Sequence, residues 1–163
     1  MRPNWDIYFM GLAWLIKERS EDPNTKHGAV IVDDLNRITG VGYNSPPRKT
    51  SLPEKYFERP SKYLAMTHSE KNAILNAKCL GTKIYVTGQV CHDCLTTIAQ
   101  TDIKEIVQLN RKGWALESPE QLELFELITK QRGISVKWID PKDLELFHKV
   151  FDPHELKKII STK

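Results

Sequence analysis

The sequence is poor in cysteine and has no large excess of charge of either sign. Its 163 residues include 3 cysteines, and such a sparse, odd number argues against a disulfide framework and for a reducing compartment. The 24 basic residues barely outnumber the 21 acidic ones, which gives a formal charge of +3. That charge suits a small anionic substrate but is too weak to indicate a nucleic-acid-binding surface.

Long hydrophobic runs are also missing. The apolar run at residues 8–16 has the length of a signal-peptide core, but Asp6 precedes it, charged residues follow it, and no small-residue cleavage site is present. It is also far shorter than the roughly 20 residues that a membrane-spanning helix needs. The run therefore predicts the first helix of a cytoplasmic protein that has no membrane partner.

The order of apolar patterns predicts one α/β domain. Helices are predicted at residues 5–18, 66–78, 91–100 and 119–131, and strands at residues 28–32, 37–43, 82–87, 103–109 and 134–139. A hairpin followed by strands that alternate with helices implies parallel crossovers and a mixed five-stranded sheet in a three-layer α/β/α fold. We expect the domain to cover residues 1–140 and a helical tail to cover residues 141–163.

Helical spacing also predicts which side chains are buried. In the first helix these are Ile7, Met10, Gly11, Trp14 and Leu15. In the helix at 119–131, the side chains available to the core are Leu122, Phe125, Leu127 and Ile128. Cys79 has no partner at a ligand spacing and is expected to be buried as a small apolar residue.

Two motifs at predicted helix starts carry possible metal ligands. Cys91 and Cys94 have the two-residue separation that is typical of tetrahedral zinc, although such a pair alone is also compatible with a redox site or half of a structural zinc site. His68, from another helix, would be a third ligand and would leave an open fourth position for water, as in catalytic zinc sites. His92 would point away from the metal and lie exposed.

Glu70 lies two residues beyond His68, so it can approach the metal without binding it. Zinc lowers the pKa of a bound water to roughly 7, and the ensuing chemistry needs a group that moves protons. The combination of His-x-Glu with Cys-x-x-Cys is the pattern of zinc deaminases, in which the glutamate is the general acid and base. The two motifs together predict a zinc deaminase with Glu70 as the catalytic residue.

The chain resembles the deoxycytidylate (dCMP) deaminase branch of the cytidine deaminase superfamily over residues 5–140. Beyond the metal motif, the resemblance rests on residues 19–25, 28–33, 42–44, 47–48, 72–77 and 103–107. Residues 44–61 are predicted to be a long, proline-containing loop, and residues 58–63 at its end are similar to versions found in phage enzymes. The resemblance implies a cytidine-deaminase-like fold.

The resemblance also implies an activity, which is the zinc-dependent hydrolysis of dCMP to dUMP and ammonia for thymidylate synthesis. By resemblance, Asn44 contacts the sugar and base, the Ser69 amide binds the pyrimidine carbonyl oxygen, and Arg19 pairs with the phosphate. Thr25 and His27 are further candidates for substrate binding, and Arg111 or Lys112 are weaker candidates for the phosphate. A homo-oligomer, expected to be a hexamer, and regulation by dCTP with Mg²⁺ are also implied.

The sequence departs from the family pattern at five positions. Val90 replaces the usual proline, Gln89 precedes it, Ser69 replaces alanine, His27 replaces a small apolar residue, and Ser45 replaces a glycine that is typical of regulated members. The change at Ser45 leaves control by dCTP open. The changes at His27, Gln89 and Val90 keep dCTP and 5-modified dCMP open as alternative substrates.

Two further alternatives remain, of which one changes the substrate and the other removes the activity. The first is deamination of a base in tRNA or single-stranded DNA, which the nearly balanced charge disfavours. The second is an inactive, zinc-stabilised binding domain, which the intact Glu70 disfavours.

Overall fold

The computed structural model describes residues 2–109, 118–145 and 147. Its helices are α1 (Trp5–Ile16), α2 (Lys62–Ala65), α3 (Ser69–Asn76), α4 (His92–Ile98) and α5 (Pro119–Arg132). Its strands are β1 (Gly28–Val32), β2 (Ile38–Tyr43), β3 (Lys83–Val86), β4 (Glu105–Leu109) and β5 (Ser135–Ile139). Short 3-10 turns lie at Lys17–Arg19, Glu54–Phe57 and Pro141–Leu144.

The five strands form one mixed sheet in the order β2-β1-β3-β4-β5. Strand β1 pairs antiparallel with β2 and with β3. Strands β3, β4 and β5 pair in parallel, and each connection between them contains a helix. The predicted hairpin, the parallel second half and the mixed five-stranded sheet are therefore confirmed.

Helices cover both faces of the sheet, as predicted for a three-layer α/β/α fold. All five residues of β1 are buried, and they alternate between two hydrophobic clusters because side chains on a strand point to opposite faces. Ala29 and Ile31 pack with residues of α3, α4 and α5. Val30 and Val32 pack with Phe9, Met10 and Ala13 of α1.

Helix α3 lies directly on β2 because two glycines remove the side chains that would separate them. A Cβ atom on Gly42 would collide with the backbone of α3 at Ser69 and Ala73, and one on Gly40 would collide with Ala73 and Ala77. The close approach holds the beginning of α3, and with it His68, at a defined distance from the sheet.

The predicted buried face of α1 is partly wrong. Phe9, Met10 and Ala13 are the buried residues, whereas Trp14 and Leu15 are 41% and 48% exposed. Every residue of α1 except Asp6 is apolar or glycine, so spacing alone does not single out one face. Lys17 Nζ lies 4.0 Å from the centroid of the Trp14 ring and covers part of its exposed face.

The prediction for α5 is confirmed at two positions and wrong at two. Phe125 is buried and Ile128 packs against the core, but Leu122 and Leu127 are 47% and 48% exposed. Cys79 is also exposed, contrary to the prediction. It follows α3 with a φ of 59°, in a turn that leads away from the core.

Helices α3 and α4 are shorter than predicted at both ends. His68 and Cys91 are the residues immediately before them, whereas Cys94 lies in the first turn of α4. None of the helices in the described ranges is both long enough and apolar enough to cross a membrane. Most of the predicted tail at residues 141–163 lies outside the described residues, so the domain boundary at residue 140 stays a prediction.

Candidate functional site

The candidate metal ligands come together where α3 and α4 begin. His68 and Cys91 are the N-cap residues of these two helices, and both have an extended backbone. The Cys91 sulfur accepts a hydrogen bond of 3.4 Å from the Cys94 amide, so the cysteine also caps its own helix. Between the two first turns, Lys71 Nζ lies 2.6 Å from the Asp93 carboxylate. The two helix starts are thereby held side by side.

The three donor atoms have the spacing that a zinc ion requires. His68 Nδ1 lies 3.5 Å from the Cys91 sulfur and 3.3 Å from the Cys94 sulfur, and all three atoms are within 4.8 Å of one another. Ordinary zinc–sulfur and zinc–nitrogen bonds at tetrahedral angles place the donors about 3.6 Å apart. The donor set therefore fits zinc. His92 is exposed, as predicted, and is not in this group.

The two thiols differ strongly in acidity. Hydrogen bonds with Cys94 and with His68 together lower the pKa of Cys91 to about 4, against the opposing effect of burial. The hydrogen bond between the two cysteines, together with burial, raises the pKa of Cys94 above its ordinary value. Two sulfur atoms this close do not both carry charge unless a cation lies between them. A divalent metal is therefore the partner that suits this pair.

Glu70 is buried next to the donor group. Its side chain is 4% exposed, and the Ser69 hydroxyl donates a hydrogen bond of 2.8 Å to its carboxylate. Burial raises the pKa of Glu70 above its ordinary value, against opposing contributions from His68 and Ser69. A buried carboxyl group with a raised pKa holds a proton more readily than an exposed one, which suits a group that takes up and releases protons.

Glu70 and two of the three donor residues, His68 and Cys91, line a cavity of about 330 Å³. Cys94 is fully buried and does not line it. The predicted site residues that line it are Thr25, His27, Asn44, His68, Ser69, Glu70 and Cys91. The remaining lining residues are Asp22, Arg59, Lys62, Tyr63, Met66, Val86, Gly88 and Gln89. The volume is in the range of small-molecule sites.

The predicted phosphate ligands do not line this cavity. Arg19 is exposed at the end of a 3-10 turn and is not among the lining residues. Arg111 and Lys112 lie outside the described residues. The three phosphate assignments therefore stay predictions.

The known proteins that this chain resembles agree with this chemistry. A sequence model described as the cytidine and deoxycytidylate deaminase zinc-binding region matches residues 3–110. The chain belongs to this family. The deoxycytidylate deaminase of Mus musculus is 34% identical to this deaminase over 147 residues, which are 85% of this chain and 81% of the mouse protein.

Phage proteins are also similar to this deaminase. The deoxycytidylate deaminase of Mycobacterium phage D29 is 32% identical over 123 residues, which are 65% of this chain and 94% of the phage protein. Among solved structures, dCMP deaminase from cyanophage S-TIM5 in complex with dCMP and dUMP has a TM-score of 0.64. It is 23% identical, and the match covers 85% of this chain and 99% of the cyanophage chain. The shared fold is the cytidine-deaminase-like α/β fold.

Asn44 holds one wall of the cavity in place. Its side-chain oxygen accepts a hydrogen bond of 2.7 Å from the His27 amide, and its side-chain nitrogen donates one of 2.8 Å to the Thr25 carbonyl. Its own carbonyl accepts a hydrogen bond from Ser20. Both ends of the Asn44 carboxamide thus bind the 25–27 segment, a role that motif reasoning did not predict.

His27 lies in the cavity wall rather than deep in the core. Its imidazole is packed so closely against Gly88 that a Cβ atom there would collide with the ring. Both residues line the cavity. Position 88 therefore requires glycine as long as His27 occupies this place.

A buried ion pair between Lys62 and Asp22 was missed by sequence reasoning. Lys62 Nζ lies 2.9 Å from the Asp22 carboxylate, and the two side chains are 8% and 1% exposed. Lys62 also donates to the Thr25 hydroxyl, and the amides of Asn24 and Thr25 donate to Asp22. Lys62 belongs to the 58–63 segment, which is similar to versions found in phage enzymes. No regular spacing in the sequence connects it with Asp22, however, so the pairing could not be predicted.

Gln108 accommodates the valine that replaces proline ahead of Cys91. Valine has a backbone N–H that proline lacks, and the Val90 N–H donates a hydrogen bond of 2.9 Å to the Gln108 side-chain oxygen. Val90 is fully buried and Gln108 is 1% exposed. An unpaired N–H in this place would carry the full penalty of losing its contact with water. Gln108 thus supports the turn that presents Cys91.

Replacing Gln108 by methionine should therefore destabilise the metal turn. We expect Gln108→Met to lower the free energy of unfolding by about 1–3 kcal/mol, since the Val90 N–H loses its acceptor. In a Val90→Pro background the same replacement should cost clearly less, because no N–H remains to be satisfied. Urea unfolding of the four proteins, with zinc release to a chelator as a second measurement, tests the pair. Equal costs in both backgrounds would contradict it.

The Asp22–Lys62 pair predicts a specific acid sensitivity. Burial opposes ionisation of Asp22, but the hydrogen bonds from Lys62, Asn24 and Thr25 outweigh it and lower the pKa of this carboxyl below its ordinary value. The stabilisation is therefore complete above the unfolded pKa of about 4 and is lost as the pH falls through the lower folded value.

Lys62→Met should move this loss to higher pH, because burial then acts on Asp22 without the compensating cation. It should also lower the free energy of unfolding near neutral pH by about 3 kcal/mol. Lys26→Met is a matched control, since Lys26 pairs with an exposed Glu18. Unfolding curves collected across the acid range test this, and identical acid transitions for the two variants would refute it.

Proposed function

We propose that this deaminase hydrolyses dCMP to dUMP and ammonia, with zinc held by His68, Cys91 and Cys94. The observation that carries the proposal is that the three donor residues lie together and that two of them, His68 and Cys91, line one cavity with the buried Glu70. The name and the 34% identity of the mouse deoxycytidylate deaminase, over 85% of this chain, support dCMP as the substrate.

Within this site, Glu70 moves the protons. Zinc with three protein ligands supplies a bound water that is acidic enough to act as a nucleophile near neutral pH. Glu70 would accept a proton from the water as it adds at C4 and pass it to N3 of the cytosine ring. It would then move the proton of the new C4 hydroxyl to the amino group, so that ammonia leaves and the C4 carbonyl of dUMP forms. The raised pKa of Glu70 suits both transfers, because the group must bind a proton and release it at similar pH.

Ser69 contributes through two different groups. Its hydroxyl donates to the Glu70 carboxylate and thereby orients the proton carrier toward the cavity. Its backbone amide, in the first turn of α3, has no partner within the helix and is available for the pyrimidine carbonyl oxygen. The replacement of alanine by serine is compatible with this second role, which uses the backbone alone.

We also retain three expectations that come from the family resemblance. They are assembly into a homo-oligomer, expected to be a hexamer, regulation by dCTP with Mg²⁺, and a cytoplasmic location.

Ser45, which replaces the glycine of regulated members, is bridged to Thr67 by two backbone hydrogen bonds of 3.1 and 2.8 Å. Its hydroxyl also accepts a hydrogen bond from Asn72, so its side chain ties this turn to α3.

Glu70→Gln should retain zinc and lose turnover. We expect kcat to fall by a factor of about 10²–10⁴, since glutamine cannot carry the protons, with zinc content unchanged. Glu120→Gln, on the exposed start of α5, is the matched control and should behave like the wild type. Absorbance assays on dCMP, and metal analysis of each protein, provide the measurements.

The same assay with CMP, dCTP and 5-methyl-dCMP tests the substrate. We expect dCMP to have the highest kcat/KM. Faster turnover of dCTP or of a 5-modified nucleotide would overturn the choice of dCMP but keep the chemistry. A zinc-loaded wild type that is inert on all of them would favour a binding domain and refute the proposal.

A further inference from the structure

The cavity contains two strongly basic side chains, and they differ in whether their charge is already paired. Lys62 is buried and bound to Asp22 and to Thr25. Arg59 is exposed, and none of the ion pairs found within residues 2–109 and 118–145 involves it. Arg59, which lines the cavity, can therefore bind an anion without first breaking an ion pair with a carboxylate.

Arg59 is already positioned by an aromatic ring. Its guanidinium carbon lies 5.6 Å from the centroid of the Tyr63 ring, and both residues line the cavity. A guanidinium that stacks through its face keeps its N–H donors in the plane of the group, where they can bind two oxygens of one phosphate. The contact with Tyr63 thus restricts the arginine without using the groups that recognise an anion.

The cavity has a buried end and an exposed end, and the charges differ between them. Glu70 and Ser69 are buried beside the metal donors, whereas Arg59 and Tyr63 are exposed. A nucleotide whose base reaches Glu70 would extend its sugar and 5′-phosphate toward the exposed end. A dianionic phosphate there meets the cation of Arg59, while Arg19 does not line the cavity.

We propose that Arg59, held by Tyr63, binds the 5′-phosphate of the substrate and makes this deaminase selective for nucleotides over nucleosides. The inference rests on the proposed function and adds the residue that recognises the phosphate. The proposal assigns phosphate binding to Arg59, in the segment that joins the Glu54–Phe57 turn with α2. It replaces the assignment to Arg19, which lies in the 19–25 segment.

The test compares ligands that differ only in the phosphate. Arg59→Ala should lower kcat/KM for dCMP by a factor of about 10–100, the effect expected for a hydrogen bond to a charged group, mainly through KM. Calorimetry on the zinc-loaded protein should show an equal loss of affinity for dUMP. The affinity for deoxyuridine should not change, and neither should any turnover of deoxycytidine, because these compounds have no phosphate.

Three more variants separate recognition from damage to the loop. Arg59→Lys should recover part of the affinity for dUMP, because the charge remains but the bidentate geometry does not. Tyr63→Phe should retain most of the affinity, and Tyr63→Ala should lose part of it. Arg37→Ala removes an exposed arginine that pairs with Asp33 in the β1–β2 turn, and it should behave like the wild type.

The outcomes distinguish this inference from the proposed function. If the wild type deaminates dCMP but Arg59→Ala binds dUMP normally, or if Arg19→Ala loses dUMP instead, the role of Arg59 is refuted and the function stands. If Arg59→Ala weakens dUMP and deoxyuridine equally, the residue supports the fold of the loop and the inference is again refuted. If the wild type neither turns over dCMP nor binds dUMP, the proposed function itself fails.

Discussion

Two sulfur atoms and an imidazole nitrogen lie within 4.8 Å of one another, and the rest of the site depends on their staying there. The opposite changes in acidity of Cys91 and Cys94 express how unfavourable it is to charge both sulfurs at this distance. A cation removes that conflict and joins two helices that come from different connections of the sheet. The fold must therefore hold the two helix starts in the right relative position before the cation binds.

Three contacts outside the donor group maintain this relative position, and each acts on a different segment. Gly40 and Gly42 let α3 rest on β2 and so place His68. Gln108 binds the Val90 N–H and supports the turn before Cys91. Lys71 and Asp93 join the first turns of α3 and α4. Only the last of these is exposed and weak, so the geometry rests mainly on backbone packing and on one buried hydrogen bond.

Another part of the cavity wall is built by a second, separate network. Asp22, Thr25, Asn44 and Lys62 satisfy one another in the interior, and such a network is stable only when its members are all paired. It connects the 20–27 segment with the long loop and α2. The same loop carries Arg59 to the exposed end of the cavity, so the element that closes the wall is also the one that we propose to recognise the phosphate.

Much of the fold and the centre of the site could be predicted from local patterns. The strands are predictable because short apolar runs are bounded by turns. The donor group is predictable because two residues separate its cysteines and because both of its motifs lie at helix starts. Gln108 and Lys62 act through contacts with residues far away in the sequence, and no spacing reveals such contacts. Arg59 has a near neighbour in Tyr63, but its place in the cavity wall depends on the fold. The face of α1 was missed for the opposite reason, since an almost wholly apolar helix offers several faces that fit equally well.

The central claim is that one zinc ion is bound by one histidine and two cysteines with an open position for water. X-ray absorption at the zinc edge of the purified protein tests it most directly. The account predicts two sulfur neighbours at about 2.3 Å and two nitrogen or oxygen neighbours at about 2.0–2.1 Å. A shell of four sulfurs, or one without sulfur, would contradict it.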